Sequence, residues 1–144
     1  MCNPDATDRR LLIGQEDHRS LQDTIYRVID FSTNGAGKPL TAKYARAQWK
    51  TSHGVQVRVQ LRNGGYAPYD RARILDTSNP GNESHLGSPN MACPGGGPGI
   101  GSGGAPNELG ENCASQGNVL IIQESNSTEA HANPGGGVIF FQFA

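Results

Sequence analysis

"VQVRVQL", residues 55–61, decides the fold class. Val55, Val57, Val59 and Leu61 point one way, and Gln56, Arg58 and Gln60 the other. Alternation with a period of two belongs to a strand with one buried face and one wet face. Downstream, "GNVLIIQE" (117–124) is an uninterrupted apolar run, the pattern of a central strand. "VIFFQFA" (138–144) reads as a last strand, with Ile139, Phe141 and Phe143 on one face and Val138, Phe140 and Gln142 on the other. Upstream, "YRVIDFS" (26–32) is β-prone and runs into the turn-like "TNGAGKP". Tyr44, Ala45, Gln48 and Trp49 fit one or two helical turns, closed by Gly54. "RNGGY" (62–66) signals a tight hairpin, because Asn-Gly and Gly-Gly tolerate positive φ. A further short strand is expected near Ala72–Leu75, stopping at Asn79-Pro80.

There is no βαβ rhythm and no long helix. About five or six strands joined by Gly-, Pro- and Asn-rich links imply an all-β fold, an antiparallel β-sandwich of jelly-roll-like type. Residues 1–25 are polar with scattered apolar positions and read as a linker or a marginal helix. Residues 26–144 form the sandwich domain. Its last apolar strand reaches Ala144 without a polar tail, so the expectation is a partial domain or a strand that pairs outside this chain.

Composition agrees. At 144 residues the chain is the size of one domain. Only 35% of residues are hydrophobic, and the 20 glycines bury no side chain, so the core is small and turns are many. A net charge of −1, with only short basic clusters such as Arg71/Arg73 and Arg9/Arg10, disfavours nucleic-acid and anionic-membrane partners. No apolar run approaches the roughly 20 residues of a membrane span. "MCNPDATDRR" lacks the apolar segment of a signal peptide. Either the protein is intracellular or Met1 is not the start of its natural precursor.

Among Cys2, Cys93 and Cys113, there is no C-x-x-C and no paired histidine spacing of a zinc site. A Cys93–Cys113 disulfide is favoured over two free thiols. It would staple "CPGGGPGIGSGGAPNELGENC" into a surface loop. Within it, Gly99-Ile100-Gly101-Ser102-Gly103-Gly104 satisfies G-x-G-x-x-G. A dinucleotide site needs a strand before that motif and a helix after it, and neither is readable here, so no nucleotide is expected.

Several blocks occur in a recognisable order: "LGSPN" (86–90), "GGPGIGSGG" (96–104), "GENC" (110–113), "GNVLIIQE" (117–124) and "GGGVIFFQF" (135–143). Together with "VIDFSTNGAGKPL" and "ARILDTSNPG" they resemble an uncharacterised β-sandwich domain of secreted and surface proteins. That domain occurs in marine bacteria, cyanobacteria and algae, often in proteins with a C-terminal sorting signal. The likeness runs from Val28 to Phe143. It implies an extracellular or cell-surface, adhesive or glycan-facing module, no established reaction, and further strands after the "IFFQF" position. Family members often carry Asp-rich runs where this chain has "NPGNESH" and "SNSTEAHANPG", a departure that weakens any calcium site.

Candidate site residues follow. Structural calcium takes six to eight oxygens, and Asp76, Asn79, Glu124 and Asp30 lie at predicted strand ends, with Asp70 as a further candidate. The alternative is that Asp76 and Asn79 cap a turn. Tyr66, Tyr69, Trp49 and Tyr44 are aromatics able to stack on sugar rings, although a lone tryptophan is more often core. Asn82 and Asn126 head N-x-S/T sequons in predicted loops, open to glycosylation in a secreted eukaryotic chain. His18, His53, His85 and His131 are dispersed, and no catalytic triad or carboxylate pair is readable. The expected function is a non-catalytic extracellular module binding polysaccharide or a cell-surface glycan. The alternative is an assembly domain completed by a protein partner at the C-terminal strand. A glycan-active enzyme fragment has least support.

Overall fold

A computed structural model describes residues 27–40, 44–65 and 70–143. Tyr66 and Tyr69, Cys2 and the segment 1–25 lie outside the described residues. The described chain is mostly strand and turn. Four strands form two antiparallel pairs: β1 (Val55–Leu61) with β4 (Gly137–Phe143), and β2 (Ala72–Asp76) with β3 (Asn118–Ile122). Register runs from Val55 opposite Phe143 to Leu61 opposite Gly137, and from Ala72 opposite Ile122 to Asp76 opposite Asn118.

β1 has the bounds that its alternation requires. Val55, Val57 and Val59 are buried, and Gln56, Arg58 and Gln60 half-buried. One helical turn, α1 (Lys50–His53), precedes it. Gly54 closes that turn with φ +65°, donating its N–H to the Lys50 carbonyl.

The hairpin expected at "RNGGY" is corrected. A turn does form, with Gly64 N–H on the Leu61 carbonyl at 2.9 Å, but β1 and β2 do not pair. The segment 44–49 stands between them. Val57 N–H bonds to the Arg46 carbonyl and Val55 N–H to the Trp49 carbonyl, occupying the β1 edge. Ala45 N–H bonds to the Ala72 carbonyl, and Tyr44 bridges Arg73, occupying the β2 edge. Asp70 ties this segment to the start of β2, accepting from Arg46 N–H at 2.7 Å and Ala72 N–H at 3.1 Å. Burial raises its carboxyl above the ordinary value, against the lowering effect of those two bonds and of the nearby Arg46 charge.

Two further corrections concern strands. The described part of "YRVIDFS", residues 27–32, does not form one: Asp30 Oδ1 accepts the Ser32 N–H and Phe31 takes φ +62°, so the chain turns there. The apolar run of β3 is not a central strand among the described residues, since its only ladder partner is β2. Both faces of this sheet are covered instead. Ala72 and Ile74 meet the core, while Arg73 and Leu75 are buried on the other side. An unbroken apolar run therefore reports two covered faces, not two paired edges.

One core unites both sheets. Leu40, Ala45, Trp49, the three β1 valines, Ala72 and Ile74 form it, and Ile29, Phe31, Leu61, Leu120, Ile122 and Ile139 pack around it. Among the described residues no helix is long and apolar enough to cross a membrane.

Candidate functional site

The stapled loop is built for rigidity. Cys93 and Cys113 are disulfide-bonded across 20 positions. Asn90 and Asn112 act as its internal connectors. Asn90 Nδ2 donates to the Gly101 carbonyl, Asn112 Nδ2 donates to the Gly87 carbonyl, and Asn90 N–H bonds to the Asn112 carbonyl. A Cβ on Gly97 would overlap the Pro89 carbonyl, and one on Gly99 the Gly87 carbonyl. Those glycines are required by backbone-on-backbone packing. A single 3₁₀ turn, Ser102–Gly104, forms the second half of the G-x-G-x-x-G stretch and gives way to extended backbone at Ala105, so no helix N-terminus follows it to face a phosphate. Removing the staple in a Cys93→Ala/Cys113→Ala variant is expected to cost about 3 kcal/mol, on the chain-entropy scale for a loop of this length. The urea midpoint reads that loss directly.

The acids proposed for calcium do not form one ligand set. Asp76 stands at the end of the β2–β3 sheet opposite Asn118, whereas Glu124 follows Ile122 at the other end. Asp76 Oδ1 caps its own turn, accepting from the Ser78 N–H at 2.9 Å and hydroxyl at 2.6 Å, and Asn79 N–H bonds to the Asp76 carbonyl. Asp30 likewise caps its turn. Among the described residues no group of three or more His, Cys, Asp or Glu is placed to hold a metal ion. Asn82 and Asn126, the sequon asparagines, are both exposed in turns.

One cluster was not readable from spacing. Glu83 is buried, with its side chain 7% exposed, and carries an imidazole on each oxygen: His85 Nε2 at 3.3 Å and His131 Nδ1 at 3.3 Å. It ties the turn at residues 81–87 to the loop after β3. Both histidines are partly exposed, so either ring, once protonated, pairs with a carboxylate held in place.

The aromatic candidates separate. Trp49 is 1% exposed; its ring packs edge-on to Phe31 and its Nε1–H donates to the Thr33 carbonyl, which removes it as a sugar platform. Tyr44 is half-buried with Arg73 over its ring. Among the described residues the exposed aromatics lie on β4 instead, where Phe140, Phe141 and Phe143 are 37%, 45% and 76% exposed, beside Val138 at 52%. Phe141 and Phe143 sit opposite buried Val57 and Val55, on the core-facing side of their sheet. They line an open groove whose other wall is Arg27, Ile29, Phe31 and His53.

The backbone of β4 is equally telling. Val55, Val57 and Leu61 send their N–H groups away from β4, to Trp49, Arg46 and Gly65. In an antiparallel ladder this alternation leaves Gln56, Arg58 and Gln60 to bond β4, through Gln142, Phe140 and Val138. Ile139, Phe141 and Phe143 therefore turn their N–H and C=O groups to the far edge, where no described residue pairs with them. The residues with exposed inner-face rings are thus the ones with outward backbone dipoles. One signal in the sequence could have marked this surface: six residues, Val138–Phe143, carry no charge, and all but Gln142 are apolar, with large apolar side chains on both faces.

No protein-family model, no curated protein and no solved structure matches the chain.

Proposed function

We propose that this chain is a non-catalytic β-domain for assembly, and that the open edge of β4 accepts an extended strand from a protein partner. The observation that carries this reading is the coincidence, on Phe141 and Phe143, of outward backbone groups and exposed apolar side chains. Strand addition uses both: main-chain bonds supply affinity, and alternate side chains supply selectivity. Edge strands of soluble domains are usually blunted by charge, proline or a bulge, and Val138–Phe143 has no charge and no proline. In this reading the two sheets are leaves of a jelly-roll-like antiparallel sandwich, and among the described residues no further strand pairs beside β4. Core-facing rings that stay exposed, Phe141 and Phe143, support that view. The disulfide is compatible with an oxidising, extracellular or cell-surface setting. Polysaccharide binding rests on Tyr66 and Tyr69, outside the described residues, and draws nothing from buried Trp49.

Amide hydrogen exchange on the dilute full chain tests the edge. Phe140 and Gln142 are expected to be protected, and Ile139, Phe141 and Phe143 to exchange at nearly unprotected rates. Strong protection of Phe141 and Phe143 in the isolated chain would show the edge already covered and would end the proposal. Phe143→Lys is expected to shift stability by no more than about 0.5 kcal/mol, as surface substitutions do, while lowering binding of an apolar dye.

A further inference from the structure

We infer that the strand completing β4 is β4 of a second copy of this chain, in an antiparallel pair whose two-fold axis passes between Phe141 and its counterpart. The inference rests on the strand-addition reading and names its partner. Its basis is self-complementarity. An isologous pair needs one surface that fits itself. With Phe141 opposite Phe141 of the second copy, Ile139 falls opposite Phe143 and Phe143 opposite Ile139. All three residues turn N–H and C=O outward, so each opposed pair exchanges both bonds, about six in all.

Side chains fit the same register. Phe141 meets Phe141 on the inner face, an aromatic cross-strand pair of the stabilising kind. Charge raises no barrier, since β4 has none and the Arg58 guanidinium belongs to the next strand inward, opposite Phe140. The result is a continuous four-stranded sheet, β1–β4–β4–β1. Area sets its strength. With aromatic side chains offering ~150–250 Å² each, the exposed parts of Val138, Phe140, Phe141 and Phe143 amount to roughly 400 Å² per copy. That is about half of the ~800 Å² per partner in a standard stable interface, so the dimer is weak and reversible, with a Kd in the micromolar range or above.

Sedimentation of the full chain from about 1 µM to 1 mM tests this, beside amide exchange at both extremes. The expected result is a monomer–dimer equilibrium in which protection of Ile139, Phe141 and Phe143 grows with the dimer fraction. Phe141→Lys and Phe141→Glu each place like charges directly opposite one another, so each variant alone is expected to remain monomeric, with at least tenfold weaker association. Their 1:1 mixture is expected to recover the dimer, because the axis at residue 141 sets Lys against Glu. Circular dichroism and Trp49 emission check that both variants are folded. A chain that stays monomeric with exchanging edge amides overturns self-pairing and leaves strand addition by another protein standing. Edge amides protected in the monomer overturn both. A dimer indifferent to the charge exchange uses another surface and overturns the assignment. Concentration-dependent protection in the unmodified chain decides the matter even where a variant misfolds.

Discussion

Trp49→Ala is expected to bring the domain to the edge of unfolding in dilute buffer at room temperature, with a sharply lowered urea midpoint. The indole is 1% exposed and stands where the segment 44–49, α1 and β1 meet. Its ring lies 5.8 Å from the Phe31 ring centre, edge to face, and its Nε1–H reaches the Thr33 carbonyl at 3.0 Å. Its own carbonyl receives the His53 and Val55 N–H groups, so the residue also fixes the step from α1 into β1. Truncating a buried tryptophan costs about 3–5 kcal/mol. Domains hold only about 5–15 kcal/mol in total, and a small core places this one toward the lower bound. Trp49→Phe keeps most of the packing and leaves the Thr33 carbonyl without its donor, at a cost of about 1 kcal/mol. That variant is expected to stay folded with a lower urea midpoint. Far-UV circular dichroism must follow the transition, because Trp49 is the only tryptophan. A cooperative transition of nearly unchanged midpoint in Trp49→Ala would show that the 44–49 segment holds without it.

Local patterns in the chain were legible where physics is local. The valine alternation at 55–59 marks β1 and its buried face; Gly54 marks the end of α1; the two cysteines around a glycine-rich stretch mark the stapled loop. Partner choice was not legible. Asn63-Gly64 specifies a turn, but nothing at residues 62–65 reveals that the preceding segment 44–49 has already taken the β1 edge. Glu83, His85 and His131 meet only through tertiary structure, and the two histidines lie 46 positions apart in the numbering, so spacing gave no hint. The acids at strand ends looked convergent because strand ends were known and strand pairing was not; once β2 and β3 run antiparallel, Asp76 and Glu124 fall at opposite ends. The exposed β4 rings were half legible. An uncharged apolar strand announced something unusual, but which of its residues face a groove depends on β1 as its partner.

Arg73→Ala is expected to cost about 3 kcal/mol and to loosen the loop after β3 before the rest of the domain. In the sequence Arg71 and Arg73 read as a short basic cluster, yet Arg73 is only 3% exposed. Its guanidinium organises a loop. Nη1 donates to the Ser127 carbonyl at 3.0 Å and the Glu129 carbonyl at 3.2 Å, and Nη2 to the Thr128 carbonyl at 2.6 Å. The Tyr44 ring lies 5.4 Å beneath the charge. Buried Gln123 adds a second donor to the Glu129 carbonyl and receives the His131 N–H. Three successive carbonyls pointing inward need donors, and a planar fork supplies them from one side chain. Truncation removes the charge and strands those carbonyls, and hydrogen bonds to charged groups are worth about 1.5–3 kcal/mol each before the loop relaxes and water reaches the freed oxygens. Arg73→Lys keeps the charge but not the fork. An ammonium on a shorter reach cannot hold three diverging carbonyls, so this variant is expected to recover less than half of the loss. Amide exchange discriminates this role from general core damage. The amides of Glu129 and His131 should gain exchange rate in Arg73→Ala while those of Val57 and Val59 change little at low denaturant. Uniform acceleration across β1 and the loop would show instead that Arg73 supports the whole core.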